Sequence, residues 1–246
     1  IKESFGIEYC FTSIDDALAY QPDAAILANP SSMHIDVAIP LADAGIHLLI
    51  EKPIAASVKG VKKLIDLCIE RKIVLMTAYN LRFLSSLNQF RSLLHGGEIG
   101  EVYSVRAEVG TYLPGWRLDQ DYTQTVSAQE RLGGGVLLEL SHEIDYLQWI
   151  FGLVKWVNAS VSRQSKLEID VEDTAHMILG FGYPPEKTQL IASLNMDFFR
   201  HDPTRRCIAI GQKGSLRWDG VENTIHYFPA DAKNWEVLYT GPENIN

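Results

Sequence analysis

The sequence predicts an α/β protein in which a parallel sheet laced by helices is followed by a region built on an open, mostly antiparallel sheet. Three observations carry this. Residues 24–80 alternate short apolar runs with segments of helical spacing, the pattern of parallel strands joined by crossover helices and covered on both faces. After Gly96-Gly97 the character changes, and apolar alternation recurs between Gly, Pro, Asn and Asp turns, as in antiparallel strands. At 246 residues, 46% hydrophobic and 22% charged, the chain can bury the core of one large or two ordinary domains. The expected division is a first domain over 1–95 and a second over 96–246, with a hinge near 80–98.

In chain order, AAILA (24–28) is a strand ending in the turn NPSS, and MHIDVAIPLADAG is a helix stopped at Gly45. IHLLIEKP (46–53) is a second strand ending in charge and proline. Ser57 has the chemistry of an N-cap for a helix through VKGVKKLIDLCIERK, with apolar residues at Val58, Val61, Leu64, Ile65, Cys68 and Ile69. IVLMTAYN (73–80) is a third strand. EVYSVRAEVG (101–110) alternates as a half-buried strand, and a polar loop with aromatic residues runs from Thr111 to Arg131. GGGVLLELSHEIDYLQWIFG (133–152) reads as one Gly-opened helix. The strands expected after it lie in VKWVNASVSRQ, DTAHMILGFGY, QLIASLNMDFF, RCIAIGQKGSLRWDG and NTIHYF.

A net charge of −9 argues against a polyphosphate partner, so nucleic acid is not expected. No run of about 18 apolar residues predicts a membrane span, and IKESFGIEYC lacks the shape of a signal peptide. Cys10, Cys68 and Cys207 lie far apart without metal-ligand spacing. They read as buried thiols of a reducing cytoplasm rather than a disulfide framework, and no metal site is expected.

Three strands deliver polar residues to one edge of the first sheet. Asn29, Pro30 and Ser31 follow the first strand and His34 opens the next helix; Glu51, Lys52 and Pro53 end the second; Tyr79 and Asn80 end the third. Ligands of open parallel sheets bind outside the carboxyl ends of the strands. A helix start favours anions, and a lysine there can stabilise an alkoxide. Taken singly, each also reads as a plain turn, N-cap or solvated strand end; the convergence points to a site. In the helix after the glycines, Leu137, Leu140, Ile144, Leu147 and Phe151 form an apolar stripe at 100° per residue. His142 points nearly opposite, flanked at three-residue spacing by Glu139 and Asp145, with Tyr146 and Trp149 further along. A carboxylate beside an imidazole raises its pKa and fixes its tautomer, which suits proton transfer; a structural histidine fits the same pattern. The three glycines allow a sharp turn and a close approach to a ligand.

NPSSMH, AGIHLLIEKPIA, YNLRF and GGGVLLELSHEIDYLQWIFG, in this order and at these separations, resemble the Gfo/Idh/MocA family of glucose–fructose oxidoreductases, inositol dehydrogenases and rhizopine-catabolism proteins, over about residues 20–220. The resemblance implies a Rossmann-type nucleotide-binding domain and a substrate and oligomerisation domain with an open sheet. It implies NAD or NADP as cofactor and a sugar, sugar derivative or cyclitol as substrate. By this resemblance Asn29, Pro30, Ser31 and His34 line the cofactor, Glu51, Lys52 and Pro53 shape the nicotinamide site, and Asn80 lies near it. Lys52 contacts the reacting hydroxyl, His142 is the acid/base, and Glu139 takes the place of the family's Asp.

Three departures stand out: Glu139 lies three residues before His142 where the family commonly has Asp four before, Ser31 replaces a common Asn, and no GxGxxG occurs. The sequence therefore reads as an N-terminally truncated member, with a possible truncation after YTGPENIN, binding NAD(P) more weakly than a parent with the Gly-rich loop. Trp116, Arg117, Asp121 and Tyr122, in the loop before the glycines, are candidate substrate contacts together with Asp145, although ordinary loop contacts explain them equally. The wording LIEKP and SHEIDYL, with WRLDQDYTQTVSA before the latter, looks like a branch often associated with bacterial surface-sugar biosynthesis. The expected protein is a cytoplasmic homo-oligomer, a dimer or tetramer through the open sheet. Two other functions fit the same scaffold: an NAD-dependent glycosidase and a non-catalytic sugar-binding relative.

Overall fold

The computed structural model of the chain describes residues 5–182 and 189–242. Tyr183, at the end of one expected strand, and the last residues of YTGPENIN lie outside them. The described residues fall into two compact units, one within 1–78 plus 131–133, the other within 79–130 plus 134–246.

In the first unit Ser13, whose side chain accepts from the Asp16 N–H, caps a short helix that the sequence reading did not foresee, α1 (Ile14–Ala19). Strands β1 (Ala24–Leu27), β2 (His47–Ile50) and β3 (Leu75–Thr77) pair in parallel, in the order β1-β2-β3. Helices α2 (His34–Asp43) and α3 (Val61–Arg71) are the crossovers. Ala38, Leu41 and Ala42 of α2 and Leu64 and Cys68 of α3 bury against Leu27, Leu48 and Ile50. Helix α3 starts three residues later than VKGVKK suggests, so Ser57 is not its cap. Gly60, with φ 82°, takes that place, because a Cβ there would run into the Ile35 side chain of α2.

The second unit begins at Tyr79, ahead of the boundary expected at 95/96. Helix α4 (Ser85–His95) presents Leu87, Phe90 and Leu94, and these lie in the larger core with Leu216, Trp218 and Ile225. That stripe at i, i+3 and i+7 assigns the helix to the second unit. Eight strands form its sheet: β4 (Val102–Gly110), β5 (Val154–Ser162), β6 (Thr174–Phe181), β7 (Leu190–Asp197), β8 (Thr204–Gly211), β9 (Gly214–Asp219), β10 (Thr224–Pro229) and β11 (Glu236–Thr240). Their order is β11-β10-β9-β8-β4-β7-β6-β5, and every neighbouring pair is antiparallel except β4 with β7. The expected fold class is thus observed; β11 is an addition to the strands read from the sequence. Alternation explains the single core face: in β7, Leu190, Ala192, Leu194 and Met196 are buried while Ile191 and Asn195 are exposed.

GGGVLLELSHEIDYLQWIFG is not one helix. It makes α5 (Val136–Glu139) and α6 (His142–Phe151), separated by Leu140 at φ −98°, ψ 25° and by Ser141. Both linking residues are buried, so the bend follows the core rather than solvent. The buried stripe of α6 is Glu143, Tyr146, Leu147 and Ile150, while Leu137, Ile144 and Phe151 pack only partly. Tyr146, expected on the polar face, is instead fully buried against Trp218, ring centroids 5.4 Å apart. Cys68 and Cys207 are buried as expected, but Cys10 is exposed. Among the described residues no helix is long and apolar enough to cross a membrane.

Candidate active site

In the first unit the exits of β1 and β2 meet at His34, while Tyr79 and Asn80, which follow β3, belong to the second unit. His34 is the brace. It is 1% exposed, with Nδ1 3.0 Å from the Pro53 carbonyl and Nε2 2.9 Å from the Asn29 carbonyl. The ring therefore lies between the exits of β1 and β2, where either tautomer donates to one of the two carbonyls, and the Lys52–Pro53 peptide is cis. His34, a candidate cofactor contact, thus has its ring buried beneath this edge rather than open on it. Ser31 is also buried and donates to the Gly133 carbonyl at 3.1 Å, while its own carbonyl accepts from the Ala56 N–H at 3.3 Å. The backbone N–H of Lys52 donates to the Glu51 carboxylate at 3.3 Å. Asn29 lies at the same edge with its side-chain oxygen buried and without a hydrogen-bond partner among the described residues.

The three glycines allow close packing within the protein. A Cβ on Gly133 (φ 82°) would meet the Ser31 hydroxyl, one on Gly134 the Val126 and Ser127 carbonyls, and one on Gly135 (φ 107°) the Glu172 carboxylate. Glu172 accepts from the Leu137 N–H at 3.1 Å, so a carboxylate lies at the N-terminus of α5, where exposed N–H groups favour negative charge.

In the second unit His142 is the first residue of α6 and half-buried. The Tyr79 ring meets its imidazole edge-on, centroids 5.6 Å apart and planes at 78°. Burial raises the Tyr79 pKa, and the nearby Ser141 hydroxyl works against that shift. Asp145 is held in a fork by Arg82, whose Nε and Nη2 donate to its two oxygens at 2.8 and 2.7 Å. That hydrogen-bonded ion pair raises the Arg82 pKa. Asp145, a candidate substrate contact that flanks His142 in the helix, is thus ion-paired with this guanidinium. Glu139 closes α5 and His142 opens α6, with the two linking residues Leu140 and Ser141 between them.

A cleft of about 890 Å³ opens at the end of the large sheet where β4 stops and β8 starts. Asn80 and Trp116 line it, and Trp116 is 44% exposed with its ring 6.2 Å from Phe198. Arg117 and Tyr122 do not reach this cleft; they border a small pocket behind Trp116. Asp121 caps a turn, accepting from the Thr123 N–H at 3.0 Å and hydroxyl at 2.7 Å. The Tyr122 hydroxyl accepts from the Glu168 N–H at 3.1 Å. Asp121 and Tyr122 thus have structural partners.

The sequence reading missed Arg205, Glu143, Thr111 and Asn223. Arg205, Thr111 and Asn223 line the cleft, and the Arg205 Nε donates to the fully buried Glu143 at 2.8 Å. A signal existed for Glu143: it falls between Leu140 and Leu147 on a core stripe, and a buried carboxylate requires a cation or donors. No group of three or more His, Cys, Asp or Glu side chains among the described residues could hold a metal ion.

Comparison with known proteins agrees with this architecture. Residues 87–217 match the GFO/IDH/MocA C-terminal domain, and residues 1–79 match the oxidoreductase family with NAD-binding Rossmann fold. An uncharacterized oxidoreductase of Synechocystis sp. is 26% identical over 244 residues, covering 93% of this chain and 64% of its own. Levoglucosan dehydrogenase of Pseudarthrobacter phenanthrenivorans is 32% identical over 162 residues, covering 64% of this chain and 40% of its own. The chain therefore spans less than two thirds of the length of either relative. The WlbA dehydrogenase of Bordetella pertussis, solved with NADH and UDP-GlcNAcA, superposes with a TM-score of 0.78 at 25% identity, over 99% of this chain and 67% of that one. With one family domain matching more than half of its length and the other most of the remainder, this chain belongs to the Gfo/Idh/MocA family.

Proposed function

We propose that this chain works as an oxidoreductase that moves a hydride between NAD or NADP and a hydroxyl-bearing carbon of a sugar, sugar derivative or cyclitol. The observation that carries the reading is the carboxyl edge of the parallel sheet, where His34 binds the exits of β1 and β2 together. The buried, unpartnered Asn29 oxygen at that edge fits a ligand that brings a hydrogen-bond donor, as a nicotinamide dinucleotide does. Asn29, Pro30, Ser31, Glu51, Pro53 and Asn80 would hold it, with His34 acting through the shape of the two strand ends. When bound, the nicotinamide supplies the hydride acceptor or donor.

The chain's own residues supply charge and proton transfer. Lys52 is assigned the developing alkoxide, which an ammonium stabilises most as negative charge builds on the oxygen. His142 is assigned the hydroxyl proton, as general base in oxidation and general acid in reduction. Glu139, three residues before His142 in the chain, is assigned support of its imidazole. In the cleft, the half-exposed Trp116 face suits the C–H surface of a sugar, and Asn80, Thr111 and Asn223 suit its hydroxyls.

The test is turnover followed by nicotinamide absorbance, with NAD and NADP against levoglucosan, glucosides, myo-inositol and UDP-GlcNAcA. His142→Ala should lower turnover at least about a hundredfold while cofactor affinity, read by NADH fluorescence, stays the same. Normal turnover in that variant would overturn the assignment of His142. Product formed without net change in absorbance would replace hydride transfer by a redox-neutral cycle.

A further inference from the structure

The segment from Tyr79 to Phe83 follows one face of α6 in register. Residues 80–83 form a 3-10 turn, in which positions three apart lie above one another. On an α-helix, positions three apart are also neighbours. Tyr79 and Arg82 are three apart, as are His142 and Asp145, and the contacts match: Tyr79 meets His142, and Arg82 meets Asp145. One turn further on, Arg82 lies over the Trp149 ring at 5.8 Å, and Arg91 of α4 lies over the same ring at 4.7 Å. Asn88 fastens the segment from behind, its amide donating to the carbonyls of Arg82 at 2.6 Å and Leu84 at 3.1 Å.

Resting on the reading of His142 as the acid/base, we propose that residues 79–82 are a positioning clamp for its imidazole. The Tyr79 ring limits how the imidazole rotates, and Arg82 draws the Asp145 carboxylate into its own fork. A bidentate guanidinium–carboxylate pair is short and geometrically defined, so Asp145 is kept from competing as the partner of the imidazole. Among the described residues of this unit, the charged and titratable groups that face His142 or flank it in the chain include Tyr79 and Arg82 from the clamp, Asp145 from α6 and Glu139 from α5. Glu143 points into the core, paired with Arg205 of β8. Lys52 belongs to the other unit and is the same in every variant below, so it drops out of the comparison.

The experiment needs no substrate. The chain is labelled with 13C,15N-histidine, the His142 ring signals are assigned by their loss in His142→Gln, and each variant is titrated by NMR. Arg82→Gln frees a carboxylate three residues from the imidazole and removes a cation, and both changes favour imidazolium. The His142 midpoint should rise by about half a pH unit or more. Asp145→Asn removes the carboxylate and leaves the cation, so the midpoint should fall. Tyr79→Leu should move the ring-proton shifts, whereas Tyr79→Phe, which keeps the ring, should preserve them. An unmoved midpoint in Arg82→Gln, with the amide fingerprint intact, would overturn the clamp. Should that variant not fold, an unmoved midpoint in Asp145→Asn overturns it alone, as would a Tyr79→Phe spectrum that changes like that of Tyr79→Leu. None of these outcomes touches hydride transfer, which the turnover of His142→Ala decides separately.

Discussion

Glu143 is the residue whose position most needs explaining. It has no exposure at all, and Arg205 of β8 donates to it from the cleft side with a quarter of its own side chain exposed. Buried ion pairs seldom add net stability over a well-packed apolar pair, but losing one partner is costly. The pair is better understood as holding the Arg205 guanidinium at the cleft wall. Arg205→Met should therefore destabilise the fold by about 3 kcal/mol in urea unfolding, and Glu143→Leu combined with Arg205→Met should recover most of that. A small effect of the single change would mean that the carboxylate is satisfied without the guanidinium. The cysteines allow a second check at this scale. Burial pushes the Cys207 thiol up to about 12 and raises Cys68 as well, whereas Cys10 is exposed. Only thiolates react rapidly with alkylating reagents, so iodoacetamide on the native protein should modify Cys10 alone, and unfolding should release the other two; mass spectrometry counts the adducts.

At the scale of elements, the turn before α5 depends on glycine for two reasons that act together. Gly135 has φ 107°, and its α-carbon faces the Glu172 carboxylate that sits at the start of the helix. Gly135→Ala should cost about 2 kcal/mol or more, from backbone strain plus displacement of Glu172, seen as a lower denaturation midpoint. A neutral result would show that the turn can relax. The β9–β10 hairpin carries a pH effect. His226, on β10, has its pKa lowered, chiefly by burial and then by Arg217. A histidine whose folded pKa lies below its unfolded value of about 6.5 contributes stability above that pH and loses it as pH falls through the folded value. His226→Gln should therefore lose less stability than the wild type between about pH 7 and pH 5; equal losses would move the acid sensitivity elsewhere.

For the molecule as a whole, the outer face of the eight-stranded sheet carries Trp156, Ile178 and Ile191, exposed by 38, 41 and 44% on neighbouring strands. Exposed apolar groups on a continuous sheet mark an interface, and we propose that this face joins copies of the protein. Light scattering at tens of micromolar should show a dimer or larger species, and Ile178→Glu with Ile191→Glu should reduce it to monomer; a wild-type monomer would refute the proposal. Periods of two and of 3.6, read along the chain, were enough for the parallel strands with their crossovers and for all but one strand of the large sheet. These patterns are local, arising from each segment's need to bury one face. The edge residues Asn29, Lys52 and Asn80 were legible for a related reason: a strand that turns from apolar to polar shows where it leaves the core. Tertiary structure decided what local spacing cannot hold. It bent the expected single helix at Leu140–Ser141, put Glu143 rather than Ile144 in the core and gave Asp145 to Arg82, 63 residues away in the chain. It made His34 a brace between two carbonyls and fitted three glycines against Ser31, Ser127 and Glu172. Each of these depends on which distant group arrives opposite a residue, and the cost of burying an unpaired charge or a clashing methyl is set only when the two segments meet.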